Sequence, residues 1–261
     1  FVKQGPNPYI IMIDDIQKSA DSIHVYDWLW YSEALELAGG EGTLEDPLII
    51  PGKKANCAVG FIIPQKPEHN FNIAKNSGHG RETKLGLTKV RQQGNRVQYF
   101  AIGAAWMKDQ PQPSFQNGPI PNGNAQSLIV KGNGFTDFVF WQPEEIHDKP
   151  GVEMICGKMV TDAFIAVVRT DENEKIIGYL IGDGKKLVFD GQILVESEQS
   201  LTVSADEKLL HATGKRQARM GLPPLPAKGK AWLPGNQTNI WADGVKIKPK
   251  LAKGQLALIG N

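Results

Sequence analysis

The sequence predicts an all-β protein of many short strands, and three observations carry that reading. Glycine and proline supply 28 and 17 of the 261 residues, a density of turn formers that favours strands over helices. No helix-length amphipathic segment interrupts the chain, which disfavours parallel sheets built from strand–helix–strand units. From about residue 152 onward short apolar stretches recur every eight to twelve residues, the spacing of a β-sandwich or barrel. Hydrophobic residues make up 41% and charged residues 22% of the chain, so disorder, collagen and coiled coil are excluded. The length leaves room for one large β domain or two small ones.

Taken in order, Tyr9 to Ile16 is a continuous apolar run ending in Asp14-Asp15, suited to a buried strand. His24 to Tyr31 alternates, with His24, Tyr26, Trp28 and Trp30 on one side and Val25, Asp27, Leu29 and Tyr31 on the other. The two segments are expected to pair as an antiparallel hairpin. Residues 34–38 are the best local helix candidate, although five residues before Gly39-Gly40 do not hold a helix alone. Further strands are expected at 57–63, 84–91, 96–105, 127–131, 135–141, 152–157, 162–170, 174–181, 185–189, 192–197, 199–204 and 207–212. Gly94-Asn95, Gly182-Asp183-Gly184 and Asp190-Gly191 supply turn chemistry between them.

Two stretches break the rhythm. Met107 to Ser127 holds thirteen Pro, Gln, Asn and Gly residues in twenty-one positions and is expected to be a long loop or ordered lid. Met220 to Pro234 reads as a proline-stiffened crossing. The domain expectation is accordingly a β-sandwich core over 1–212, followed by an extended segment over 213–261 with edge strands near its end.

A formal net charge of +1 removes the footprint of a nucleic-acid-binding protein, and no apolar run is long enough for a helical membrane span. The opening Phe1-Val2-Lys3-Gln4-Gly5-Pro6 lacks a basic segment followed by an apolar one, so no signal peptide is read there. It resembles the middle of a longer chain. Cys57 and Cys156 sit among apolar neighbours and are expected to be buried free thiols, with a disulfide as the alternative.

The search for chemistry is mostly negative. His24, His69, His79, His147 and His211 form no metal-ligand pair at close spacing; His69 and His79 share a stretch of Asn, Ser and Gly, but nothing else at ligand spacing joins them. No metal or other cofactor is expected. No nucleophile elbow is present, and Gly132-Asn133-Gly134 and Gly182-Asp183-Gly184 read as hairpin turns, not phosphate cradles. Asp14 and Asp15 point to opposite faces and cannot act as an acid/base couple; a turn-capping role is expected. Basic clusters are thin, Lys208, Lys215, Arg216 and Arg219 in one and Lys246, Lys248, Lys250 and Lys253 in the other; the alternating Lys246, Lys248 and Lys250 are read as one solvated face of an edge strand, with contacts to an acidic sugar as the alternative.

The aromatic residues are more informative. Trp28, Trp30, Tyr31, Trp106 and Trp141 are the candidate carbohydrate contacts, because flat rings stack on the C–H faces of sugars. Filling a sandwich core is the alternative for each tryptophan.

The run Pro8-Tyr-Ile-Ile-Met-Ile-Asp-Asp-Ile16, a polar turn, and His24-Val-Tyr-Asp-Trp-Leu-Trp-Tyr31 resembles the C-terminal β-sheet domain of the heparinase II/III-like polysaccharide lyases. Gly157 to Arg169 and Gly178 to Gly191 are similar to late strands of that domain, and the likeness spans most of 1–212. It implies an antiparallel super-β-sandwich, attached in a parent chain to an N-terminal helical toroid. It further implies cleavage of uronic-acid-containing polysaccharide by β-elimination in the parent, with the toroid supplying most of the machinery. In this chain it implies a scaffolding or glycan-binding role without a complete active site. The alternatives are part of an active lyase and a stand-alone sugar-binding module. An acidic polysaccharide partner and a periplasmic or secreted location follow from the same resemblance.

Overall fold

Alternation of side chains, already audible in the sequence, becomes alternation of burial in the computed structural model, which describes residues 7–18, 22–76, 83–121, 125–142, 152–214, 228–235, 239–247 and 256–259. The protein is all-β. No helix occurs among the described residues, and its strands build sheets with sandwich-like layering that are antiparallel apart from one parallel pairing of Leu209–Gly214 with Asn239–Ala242. The chain divides into two compact units, one of residues 1–117 with 131–133 and one of 118–130 with 134–261.

The first unit is a two-layer sandwich. One layer has the order β1 (Tyr9–Gln17), β7 (Arg96–Met107), β4 (Ala55–Ile63), β3 (Leu48–Ile50). The other has β2 (His24–Ser32), β6 (Thr83–Gly94), β5 (Glu68–Asn76). Trp28 and Val90 from the second layer and Phe61, Val59, Val97, Tyr99 and Ala101 from the first fill one shared core. Trp28 meets Phe61 edge to face, with ring centroids 5.0 Å apart, the geometry that ring quadrupoles favour. The Trp30 ring lies against Gly103 of β7, where an added Cβ would come within 2.9 Å of it; glycine is what lets the indole approach. Tyr99 ties the layers with its hydroxyl, which donates to the carbonyls of Tyr26 at 2.9 Å and Val90 at 3.2 Å.

This arrangement corrects the expected β1–β2 hairpin. β1 pairs along its whole length with β7, from Tyr9 opposite Ala104 to Gln17 opposite Arg96. β2 pairs with β6, from His24 opposite Gly94 to Ser32 opposite Gly86. Each apolar strand needs cover on its core face, and placing consecutive strands in opposite layers lets both face one core. Gly94-Asn95 does join β6 to β7, but it carries the chain from one layer to the other.

The helix candidate at 34–38 is likewise corrected. Ala38 N–H donates to Ile49 O at 2.8 Å, and Gly39 bridges to Ile49. So short a segment gains more by pairing with a strand than by nucleating a helix. Strands not expected from the sequence include β3, only three residues long, β5, whose polar composition masks its period, and short strands at Met159–Thr161 and at Gly229–Trp232, the latter inside the stretch read as a proline-stiffened crossing. β8 (Ser114–Asn117) also interrupts the stretch 107–127 read as loop.

In the second unit one sheet bends around a single core. β9 (Gln126–Gly132), β10 (Phe135–Trp141), β13 (Ile165–Thr170), β14 (Ile176–Phe189), β15 (Gln192–Asp206), β16 (Leu209–Gly214), β18 (Asn239–Ala242) and β19 (Val245–Ile247) follow in that order. Gly182-Asp183-Gly184 lies inside β14 and is not the hairpin turn expected. Register shifts cluster from Ile181 to Val188, and Asp183 takes a positive φ of 53°, so the tripeptide bends one long strand. Ahead of the bend Val168 of β13 stands opposite Tyr179. Beyond it β12 (Met159–Thr161), with its hairpin partner β11 (Met154–Cys156), takes that place. β17 (Gly229–Trp232) pairs with the first part of β15 and with β20 (Leu256–Ile259). Residues past 212 therefore contribute strands to the same sheet. The β14–β15 turn at Asp190-Gly191 has φ of 50° and 76°, the left-handed pair that a tight hairpin needs.

Candidate functional site

The site begins with period two in β2 and β6. Trp28 and Val90 stand opposite each other and face the core; their odd-numbered neighbours therefore face outward. Three rows cross the outer face of the β2–β6–β5 layer. Asp27 stands opposite Arg91, and Arg91 opposite Glu68; Leu29 opposite Lys89, and Lys89 opposite Asn70; Tyr31 opposite Leu87, and Leu87 opposite Asn72. From Tyr31 to Asn72 is two inter-strand steps, about 10 Å. Tyr31 is 56% exposed, Leu29 two residues and Val25 six residues back along the same face are also exposed, and Leu87, between Tyr31 and Asn72, is buried.

Polar groups on this face are organised by one another. Arg91 donates to Asp27 in a bidentate pair, Nε to Oδ1 at 2.8 Å and Nη2 to Oδ2 at 3.0 Å. The Arg91 hydrogen bond holds the Asp27 carboxyl below its usual range, and Asp27 in turn raises Arg91. Both groups are thus charged near neutral pH. Asn72 donates its amide N–H to the Asn70 side-chain oxygen, which turns neighbouring amides into one array. The face offers an exposed aromatic ring, amide donors and acceptors, and fixed charges of both signs. Such a set can hold a sugar: the ring covers C–H faces, the amides meet hydroxyls, and Lys89 suits a carboxylate.

Each of the other sequence candidates has a definite place. Trp28, Trp106 and Trp141 are buried, at 8%, 6% and 1% exposure. Trp30 is half-buried against Gly103 and 5.8 Å from Trp28, centroid to centroid. Only Tyr31 among the five turns most of its ring to solvent. The sequence reading missed Asn70, Asn72, Lys89 and Arg91. A signal existed in Glu68-His-Asn-Phe-Asn-Ile, where acidic and amide residues alternate with His69, Phe71 and Ile73; its low hydrophobicity hid the strand.

Elsewhere, the two cysteines, Tyr179 and Asp15 are held by burial or by hydrogen bonds. Burial pushes the Cys57 thiol up to about 11, and burial also raises Cys156; both cysteines are free. Burial raises the Tyr179 phenol, whose hydroxyl donates to Trp232 O at 2.8 Å. Asp15 lies within β1 and does not cap a turn, as the sequence suggested; it accepts from Arg96 at 2.9 and 2.6 Å and from Gln98 at 3.0 Å. No group of three or more His, Cys, Asp or Glu side chains fit to hold a metal ion occurs among the described residues. His79, His147, Lys215, Arg216, Arg219, Lys248, Lys250 and Lys253 lie outside them. No helix among the described residues is long and apolar enough to cross a membrane. Compared with known protein families and with curated proteins, the chain matches none.

Proposed function

We propose that this chain is a carbohydrate-associated β-sandwich portion of a heparinase II/III-like protein, holding acidic polysaccharide on the outer face of β2–β6–β5. The observation that carries the reading is the exposed Tyr31 ring, on a sheet face whose same row ends in Asn72 and whose neighbouring rows present Asn70, Lys89 and Arg91. A mixed aromatic and amide sheet surface suits an extended sugar chain better than it suits a small reactive substrate, which needs a concave pocket. The role is binding or scaffolding, and the chemistry of β-elimination belongs to a helical toroid elsewhere in the parent chain. Support for the lack of a complete active site comes from the thiols and the Tyr179 phenol, which burial keeps protonated. A periplasmic or secreted location accompanies this reading.

Affinity electrophoresis through gels cast with heparan sulfate, alginate or chondroitin tests it. The protein is expected to be retarded by at least one of these, and Tyr31→Ala to lose most of the retardation while Trp106→Ala, if folded, keeps it. Migration unaffected by all three would refute glycan binding. Absorbance of an unsaturated product after incubation with the same polysaccharides would refute the absence of an active site and favour a lyase.

A further inference from the structure

The edge of β2 is a second surface, separate from the outer face. Among the described residues β2 pairs only with β6, so its other side offers unpaired backbone groups over nine residues in regular register. Proteins blunt such edges with proline, lysine, bulges or short length. His24–Ser32 contains no proline, glycine, lysine or arginine, and its pairing with β6 has no register shift. Among the described residues, two other edges of this unit carry such a device: β3 is three residues long and β5 carries Lys75.

We propose that β2 is a self-pairing edge, by which two copies of this chain associate through antiparallel β2–β2 pairing. The argument for a second copy is the self-complementarity of the strand. Only registers that keep outward residues opposite outward residues preserve the burial of Trp28. Of these, the one centred on Asp27 sets two carboxylates directly opposite each other, which is destabilising. Centring on Leu29 sets Tyr31 against Asp27 and Val25 against Glu33. With Trp28 on the two-fold axis, Val25 faces the partner copy's Tyr31, and Asp27 faces its Leu29. An aromatic ring then meets a β-branched side chain, a favourable cross-strand pair, and the exposed apolar stripes of both copies become continuous. The two three-stranded layers join into one sheet of six. The inference does not rest on glycan binding, because its hydrogen bonds come from the strand's edge, although Val25, Asp27, Leu29 and Tyr31, which meet across that edge, also lie on the outer face.

Sedimentation equilibrium of the purified chain over a range of concentrations tests it. The weight-average mass is expected to rise from that of one chain to twice that value. Leu29→Glu, which sets a second carboxylate opposite Asp27, is expected to weaken association about tenfold or more, whereas Leu29→Lys, opposite-charged to Asp27, retains it. Leu29 is exposed, so both variants are expected to fold, with circular dichroism as the check. The double variant Val25→Cys/Tyr31→Cys is expected to form oxidised dimers that neither single variant forms. A mass of one chain at every concentration up to the solubility limit would overturn the proposal. So would equal association of the Glu and Lys variants, or no cross-link in the double variant.

Discussion

Removing one side of the Arg169–Asp137 pair is expected to unfold the second unit far more readily than removing both. The residues stand directly opposite each other on β13 and β10. Arg169 donates through Nε to Oδ1 and through Nη2 to Oδ2, each at 2.7 Å, and the side chains are 8% and 0% exposed. Its guanidinium carbon also lies 3.9 Å from the Phe135 ring centroid. At this burial the surviving partner of a broken pair loses the counter-charge that stands directly opposite it, so Arg169→Met is expected to cost about 3–5 kcal/mol. The cation–π contact accounts for up to about 2 kcal/mol of that loss. Asp137→Leu should cost a similar amount, since the arginine is left buried. The double variant exchanges both charges for apolar groups and is expected to fall within about 1 kcal/mol of the parent or above it. The coupling energy is then about 3 kcal/mol or more. Urea unfolding of the four proteins, followed by fluorescence and far-ultraviolet circular dichroism, yields it from the midpoints and slopes. Where the two units give separate transitions, only that of the second should move. A coupling below about 1 kcal/mol, the value for exposed pairs, would refute the reasoning that burial decides this interaction.

Three further outcomes follow from the same structure. Tyr99→Phe leaves the carbonyls of Tyr26 and Val90 without their shared donor and is expected to cost the first unit about 1–3 kcal/mol, read as a lower urea midpoint; an unchanged midpoint would show that the inter-layer tie is energetically idle. Asp15 has its folded pKa lowered, chiefly by the Arg96 hydrogen bond, so its contribution is complete above the unfolded carboxyl value near 3.9 and is lost as pH falls through the lower folded value. Asp15→Asn should therefore flatten the acid limb of melting temperature against pH, and an acid limb identical to the parent's would contradict the assignment. Cys57 is half-buried with its thiol raised to about 11, and Cys156 is buried; at mildly alkaline pH Cys156 is expected to react with an aromatic disulfide reagent only after denaturant is added, and Cys57 far more slowly than it does unfolded. Rapid reaction of the folded protein would contradict that burial.

The strands were largely legible in the sequence because period two and turn chemistry are local properties. His24 to Tyr31 shows its two faces without any partner, and Asp190-Gly191 announces its tight turn by residue type alone. The misreadings share one cause. Gly182-Asp183-Gly184 has the composition of a turn, yet it serves as a bend, because β13 and β12 on one side and β15 on the other continue the pairing past it. β1 and β2 resemble a hairpin because both are apolar and adjacent, but their partners lie in distant sequence.

The sequence by itself determined that the chain is all-β, where most strands run, and which residues share a strand face. Only the tertiary structure decided which face is covered. Trp28 and Tyr31 sit three residues apart with equal claims to a sugar, and packing against Phe61 buries the first and leaves the second exposed. It also decided that Asn70, Asn72, Lys89 and Arg91 share a surface with Tyr31. The physical reason is that alternation records a strand's two faces but carries no record of the neighbour that lies over either one.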